Sequence, residues 1–403
     1  MEQHAFPQKV HMIGIAGVGM SALAQLLADS GARVTGSDVS ISPTLDAVEK
    51  KGIKVTIGHM ENNIPTDADL VIYTDAAHDD NIERREAHRR GIPQMSYFRA
   101  LGEIAKGKRT IAVAGTHGKT TTTGMLTKIL QDAGAAPTAV IGSIVKDFGS
   151  NYVQGNSDLF VVEACEYRDH LLELSPEVLV INNLEWDHTD YFPTLEALQD
   201  TFRKAIERVP AHGAIVTNPA NKNIAPLLSH AQARVIDYTI EPAYTLRTPG
   251  EFNEENARAA AAAARLIRPD LADKAIAESL ANFHGTWRRF EYKGKTARGA
   301  DVYDDYAHHP TAVRVTLKAL HEKTKGKLFV AFHPHLYSRT RDLLDEFAVA
   351  FVDADRVFIA PIYPAREVDD GSISSEILAE RIRATGTDAV ALGSFETIEE
   401  ALG

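Results

Sequence analysis

The sequence predicts an α/β protein built on parallel sheets, and three observations carry that prediction. Residues 9–38 spell a β-α-β unit around a glycine turn. Residues 108–134 spell a strand, a second glycine turn and a helix. Strand-like and helix-like runs alternate again from residue 301 onward, the order parallel sheets require. At 403 residues the chain has room for about two or three domains. A hydrophobic content of 44% with 24% charged residues describes an ordinary globular protein with ample core. The formal net charge of −12 argues against a general nucleic-acid-binding surface, so no nucleic-acid partner is expected. No apolar run reaches transmembrane length and no signal peptide is visible. The expectation is therefore no membrane insertion and a cytoplasmic location. The single cysteine, Cys165, excludes an intrachain disulfide.

The first strand covers Lys9 to Ile15, and Ala16-Gly17-Val18-Gly19-Met20-Ser21 leads into a helix with Leu23, Leu26 and Leu27 on its apolar face. A second strand, Arg33 to Gly36, runs to Asp38, an acidic residue placed as in dinucleotide folds. Gly14, Gly17 and Gly19 give G-x-x-G-x-G rather than G-x-G-x-x-G. A diphosphate on the helix N-terminus fits this spacing better than NAD or a chance turn. Strand-like runs at Lys54–Ile57 and Leu70–Thr74, each followed by a helix-like stretch, extend a small parallel sheet to about residue 105. Lys106-Gly107-Lys108 reads as a linker.

The apolar run Ile111 to Ala114 then reads as a short buried strand. After Gly115-Thr116-His117-Gly118-Lys119-Thr120-Thr121 comes a helix with Met125, Leu126, Ile129 and Leu130 on one face and a stop at Gly134. Glycines let backbone N–H groups approach an anion, and the helix N-terminus adds positive potential. Lys119 can reach outer phosphates and the Thr120 hydroxyl can ligate Mg²⁺, so ATP or GTP is the expected ligand. Val113 stands where the usual G-x-x-x-x-G-K-[ST] has its first glycine. The bland alternative is a glycine turn with a chance Lys-Thr.

Two further strands, Leu159–Val162 and Val178–Ile181, end at Glu163 and at Asn182-Asn183-Leu184-Glu185-Trp186-Asp187-His188. Carboxylates beyond strand ends, on the sheet edge that carries the phosphate loop, are where a metal ligand sits. Glu163 and His188 are thus candidates for metal or phosphate contact, against the alternative of solvated loop residues. Cys165 reads as a small packed residue, since no base is evident for it. An amphipathic helix over 195–208 and a strand over Ala214–Val216 precede a less regular stretch to residue 248. Pro249 to Asn256 leads into an alanine-rich helix, Ala257–Leu266, with Asn253 and Asn256 able to share one face.

Beyond Arg288-Arg289-Phe290, the pattern predicts strands at Asp301–Tyr303, Leu328–Phe332, Val357–Ile359 and Ala389–Leu392, with helices from Thr311 and over Arg341–Phe351. Asp304-Asp305-Tyr306-Ala307-His308-His309-Pro310-Thr311 and His333-Pro334-His335-Leu336-Tyr337-Ser338-Arg339-Thr340-Arg341 fall at strand ends. Their four histidines lack the spacing of a zinc site. Arg339 suits bidentate binding of a carboxylate, with a surface salt bridge as its alternative.

Taken together and in order, these blocks resemble the Mur ligases nearly end to end, closest to the branch that adds L-alanine to UDP-N-acetylmuramate. The resemblance implies three domains: a Rossmann-like one for the UDP-sugar (1–105), a central ATPase (106–290) and a Rossmann-like one for the amino acid (291–403). It implies ATP-driven amide formation in peptidoglycan precursor synthesis, with Mg²⁺ as the metal. The muramoyl carboxylate attacks the γ-phosphate, and the amine of L-alanine then attacks the acyl phosphate. Position by position, Lys119 would stabilise the transferring phosphate, and Thr120, Glu163 and His188 would hold the metal. Asn253 and Asn256 match adenine contacts; Arg289 and Asp305 match ATP contacts from the third domain. His309 and Arg339 would face the acyl acceptor, Arg339 holding the alanine carboxylate. Gly17, Val18, Gly19, Met20 and Ser21 would hold the UDP diphosphate, with Asp38 beside them. Ligands divided among three domains imply hinge motion near 106–108 and 285–300.

The chain departs from the family pattern in places. Phe202 and Arg203 stand near where some relatives carry a modified lysine, as an apolar residue does in the alanine-adding branch. Position 336 is Leu where many alanine-adding enzymes have arginine. The stretch between Pro219 and Gly250 is short for the family, and relatives continue past Gly403 with a further strand and helix. Asn182-Asn183-Leu184-Glu185 and Val302-Tyr303-Asp304-Asp305 are shared with the recycling branch, which joins a tripeptide to UDP-N-acetylmuramate. The His-Pro-His-x-Tyr-Ser-Arg-Thr block speaks for the alanine branch. A non-catalytic nucleotide-binding relative and a nicotinamide dehydrogenase resting on Gly14–Asp38 are the remaining readings.

Overall fold

The structure is a computed structural model that describes residues 6–248 and 250–402; Met1–Ala5, Pro249 and Gly403, and so part of the turn expected at Pro249, lie outside the described residues. Among the described residues, one compact unit takes the chain up to Asn183, Thr201–Arg247 and Asn256–Trp287. A second takes Leu184–Asp200, Thr248–Glu255 and the chain from Arg288.

In the first unit, β1 (Lys9–Ile13), α1 (Val18–Asp29), β2 (Arg33–Asp38), α2 (Leu45–Lys50), β3 (Lys54–Ile57), β4 (Leu70–Tyr73), α3 (Ile82–Arg89), β5 (Gln94–Ser96) and α4 (Tyr97–Ala105) build a five-stranded sheet. Its order is β3-β2-β1-β4-β5 and every pairing is parallel. Strand order reverses between β1 and β4, which opens a crevice at the carboxyl ends of those two strands. The helix expected after β3 is only the 3₁₀ turn Glu61–Asn63. That run offers few apolar residues to bury, and Pro65 follows it closely.

A polar knot braces this sheet from within. Glu83, fully buried, accepts from Ser37 Oγ (2.6 Å), Asn63 Nδ2 (2.6 Å) and Met60 N (3.1 Å), and lies 3.1 Å from His11 Nε2. Burial raises the Glu83 carboxyl, but the bonds from His11, Ser37 and Asn63 outweigh it and bring it down to about 2. A carboxylate lowered on folding adds stability that is complete above its unfolded value and vanishes as pH falls through the folded one. Glu83→Gln is therefore expected to lower the thermal midpoint at pH 7 and flatten its fall between about pH 4.5 and pH 2. Calorimetric midpoints that drop in parallel with wild type over that range contradict this assignment.

The second sheet continues the same unit with β6 (Arg109–Ala114), α5 (Lys119–Asp132), β7 (Thr138–Val145), β8 (Ser150–Val153), β9 (Leu159–Glu163), β10 (Val178–Ile181), α6 (Leu195–Arg208), β11 (Ala214–Thr217), β12 (Arg234–Asp237), α7 (Glu251–Ile267) and α8 (Asp273–Ala281), except that the first residues of α6 (195–200) and of α7 (251–255) count with the second unit. Strand order is β12-β11-β10-β6-β9-β7-β8, parallel except for β8. The β7–β8 hairpin has no counterpart in the sequence reading. It carries the packing between the two sheets' layers, because α1 lies against both its strands. Helix α7 starts at Glu251, earlier than the alanine run, so Asn253 and Asn256 fall in its first turns. Ala259–Ala264 are all buried, and their small side chains serve close packing in this core.

The second unit holds the hairpin β13 (Glu291–Lys295) and β14 (Asp301–Asp304), then α9 (Pro310–His321), β15 (Phe329–Phe332), α10 (Tyr337–Asp342), α11 (Leu344–Ala350), β16 (Arg356–Ile359), α12 (Ser375–Arg383), β17 (Asp388–Ala391) and α13 (Phe395–Leu402). Strands β15-β16-β17 form a parallel sheet whose core includes Leu317, Phe332, Phe347, Phe351, Val357 and Leu378. Two expectations are corrected here. The strand at 301–303 pairs antiparallel with β13 rather than joining the parallel sheet. The single helix over Arg341–Phe351 is two helices, broken at Leu343 (φ −112°, ψ 26°). Among the described residues no helix is long and apolar enough to cross a membrane.

Candidate active site

The phosphate loop joins β6 to α5. Gly118 has φ +78°, and a Cβ there would lie 2.0 Å from Asn256 Oδ1, so only glycine fits. The loop is held from outside by two asparagines at the end of β10. Asn183 Oδ1 accepts from His117 N (2.8 Å), and Asn182 Nδ2 donates to Thr122 Oγ1 (2.9 Å), which donates to Asn256 Oδ1 (3.2 Å). Lys119 Nζ donates to Gly115 O (2.6 Å), Thr116 O (3.2 Å) and both oxygens of Glu166 (3.1 and 3.0 Å). Burial works against its charge, but Glu166 and Glu163 outweigh it and hold the lysine above its ordinary pKa. Thr120 Oγ1 donates to Glu163 Oε1 at 3.0 Å, and Glu163 Oε2 accepts from Gly142 N at 2.8 Å. Lys119, Thr120 and Glu163 are thus brought together as the sequence predicts. Cys165 is chemically quiet: burial and neighbouring Glu166 push its thiol up to about 12.

The first glycine turn closes on the same ground. Gly14, at φ +82°, lets β1's loop pass so close to β4's that a Cβ would sit 2.3 Å from Thr74 Cγ2. Asp38 accepts from Ala16 N (2.8 Å) and Ser40 N (3.2 Å), bracing the turn. Ser21 is buried, donates to Val18 O (2.8 Å) and takes a bond from Asn151 of β8 (3.0 Å). Gly17, Val18, Gly19 and Met20 line a pocket of about 280 Å³ that also reaches Asp75, Tyr97, Phe98 and Glu163. The turn expected to hold a diphosphate and the carboxylate expected to face the metal therefore open into one cavity.

In the second unit Arg339 and Asp187, both buried, form an ion pair, Nε to Oδ1 at 2.7 Å. Arg339 Nη1 also donates to His335 O at 3.1 Å. Burial alone would raise the Asp187 carboxyl, but Arg339 and three neighbouring histidines hold it well below the usual range. His188 follows with φ +53°, its N–H bonded to Asp187 Oδ1 at 2.7 Å. His309 caps α9, accepting from Thr311 N, and its Nε2 donates to Trp186 O at 3.2 Å. Asp305 accepts from Thr316 Oγ1 (2.6 Å); burial raises its carboxyl against the pull of that hydroxyl and Arg289. Arg289 lies over the Tyr306 ring at 5.2 Å. His335 is brought down to about 4, first by burial and then by Arg339, and His308 and His333 are lowered by burial too. These three histidines pack against rings.

Sequence reasoning did not single out Glu166, Asn182 and Asn183 as site residues. A carboxylate three residues past Glu163 and a doubled asparagine at a strand end were the available signals.

A parallel sheet with a glycine phosphate loop, a threonine paired to the next strand's terminal carboxylate and a second glycine turn on the same cavity define a phosphate-loop α/β class. The chain belongs to the Mur ligase family, matching the models for its catalytic domain over residues 9–109, its middle domain over 113–247 and its glutamate ligase domain over 288–403. It is 40% identical to the UDP-N-acetylmuramate–L-alanine ligase of Acetivibrio thermocellus, over 98% of this chain and 90% of that protein. It is 37% identical to the ligase of the same name from Clostridium acetobutylicum, over 97% and 91%. Among solved structures, the UDP-N-acetylmuramate–alanine ligase of Thermotoga maritima superposes with a TM-score of 0.78 at 27% identity, covering 98% of this chain and 93% of that one. A murein peptide ligase from Psychrobacter arcticus gives 0.75 at 25% identity, covering 98% and 92%.

Proposed function

We propose that this Mur ligase uses ATP to join L-alanine to UDP-N-acetylmuramate in the cytoplasm. The observation that carries the reading is the shared cavity, with a diphosphate-type turn on one wall and Glu163, bonded to Thr120 in the phosphate loop, on another. Full-length relatives that bear this activity in their names support the acceptor and donor assignments.

The carboxylate of the sugar substrate is a poor acyl donor. Its oxygen attacks the γ-phosphorus, the bond to ADP breaks, and the acyl phosphate provides a good leaving group. The alanine amine then attacks the acyl carbon, phosphate departs and the amine loses its proton. Lys119 neutralises the transferring phosphoryl group, and the loop amides and α5 N-terminus hold the other phosphates. The Thr120 hydroxyl and the Glu163 carboxylate are oxygen donors that fit Mg²⁺, and His188, the third residue assigned to it, would add a nitrogen donor. Bound there, Mg²⁺ would offset phosphate charge. Asn253 and Asn256 receive the adenine, Arg289 and Asp305 the nucleotide, His309 and Arg339 the amino acid. The corresponding division is 1–105 for the UDP-sugar, 106–290 for ATP and 291–403 for the acceptor.

The test is phosphate release from ATP and UDP-N-acetylmuramate with L-alanine or with the recycling tripeptide. L-Alanine is expected to drive release and the tripeptide to leave it at background. Release driven by tripeptide alone reverses the assignment.

A further inference from the structure

Asp75, just beyond β4, lines the cavity beside the Gly17–Met20 turn. Its Oδ2 lies 2.9 Å from His170 Nε2. The His170 ring is stacked on Phe98, centroids 3.8 Å apart and planes 14° apart, and Phe98 lines the same cavity. His170 Nδ1 is buried and has no hydrogen-bond partner among the described residues. With Nδ1 in that setting the ring proton belongs on Nε2, where it is donated to Asp75. The backbone goes out of its way to deliver this ring: Arg168 and Asp169 are consecutive non-glycine residues at φ +51° and +61°. Such conformations persist where the surroundings over-determine them, and they cluster at functional sites.

The charge order in the cavity says what Asp75 can meet. The proposed substrate carries a diphosphate and a carboxylate, and a fixed carboxylate repels both. Asp75 is therefore placed to face the neutral donors between those two charged ends. Resting on the function proposed above, we infer that Asp75, aimed by His170, accepts a hydrogen bond from an N–H or O–H group of the substrate's sugar ring. Asp75 is then a specificity residue for an amino-sugar nucleotide, and His170 is its positioning residue.

The experiment is steady-state kinetics of the full chain with ATP, UDP-N-acetylmuramate and L-alanine, with calorimetric binding of the sugar nucleotide alone. Absence of sugar-nucleotide-dependent turnover in wild type would remove the underlying reading, before any variant is compared. With wild type active, Asp75→Ala is expected to raise KM for the sugar nucleotide about tenfold, with kcat and the KM for ATP within twofold. His170→Ala should follow the same split, and His170→Gln, whose amide can replace Nε2–H, should recover most of the loss. The double alanine variant should be no worse in KM than Asp75→Ala. Unchanged sugar-nucleotide KM in Asp75→Ala, or equal rises in both substrates' KM, assigns the pair to structure alone and overturns the inference.

Discussion

Lys119→Ala is expected to reduce ATP-driven phosphate release by about 10³-fold, the scale for deleting a donor aimed at developing charge. The variant has a second effect that must be separated from the first. Glu166, 1% exposed, loses the cation that both its oxygens contact. Stranding a buried charge destabilises by about 3–5 kcal/mol. The double variant Lys119→Met/Glu166→Gln removes both charges, so its melting temperature should return towards wild type while turnover stays lost. Turnover within tenfold of wild type in Lys119→Ala would remove the lysine from the reaction.

Arg339→Ala is expected to destabilise the second unit by about 3–5 kcal/mol, because Asp187 is left charged with its principal partner gone. Asp187 is held well below the ordinary carboxylate range, so the stability it lends is complete above that range. It is lost only as pH falls through the lowered value, and the defect should be fully expressed at pH 7. Pairing Arg339→Met with Asp187→Asn should restore much of the melting temperature. If Arg339 also holds the acceptor carboxylate, the pair should leave KM for L-alanine raised at least tenfold. Recovery of both stability and alanine KM by the double variant would make the arginine purely structural.

Much of this architecture is legible in the sequence itself. A buried apolar run, glycines that end it and a helical repeat behind them are local signals, so β1–α1 and β6–α5 emerged from the chain directly. Sheet topology places strand ends side by side, which is why Glu163 is expected on the edge that carries the phosphate loop, and its carboxylate lies 3.0 Å from Thr120 Oγ1. What escaped was non-local or rested on one residue. The β7–β8 pairing depends on what α1 covers, and nothing near Thr138 announces that. The earlier start of α7 had a missed signal, since Glu251 and Glu254 suit a helix N-terminus. Strand β14 pairs with β13 through a turn that contains Gly299 (φ +87°), and Gly294 (φ +120°) sits at a register shift within β13. Asp75 and His170 stand far apart along the chain, and no spacing rule joins them.

Helix α4 and the stretch after Glu166 touch backbone to backbone: a Cβ at Gly102 would stand 2.3 Å from Glu173 O. The two ends of that contact descend from different parts of the chain, yet neither can be redrawn alone. A chimaera that borrowed residues 9–105 from a homologue would need its residues 166–173 as well. Recombination at the apparent linker, Lys106–Lys108, cuts through a fitted joint, and productive exchange points lie elsewhere.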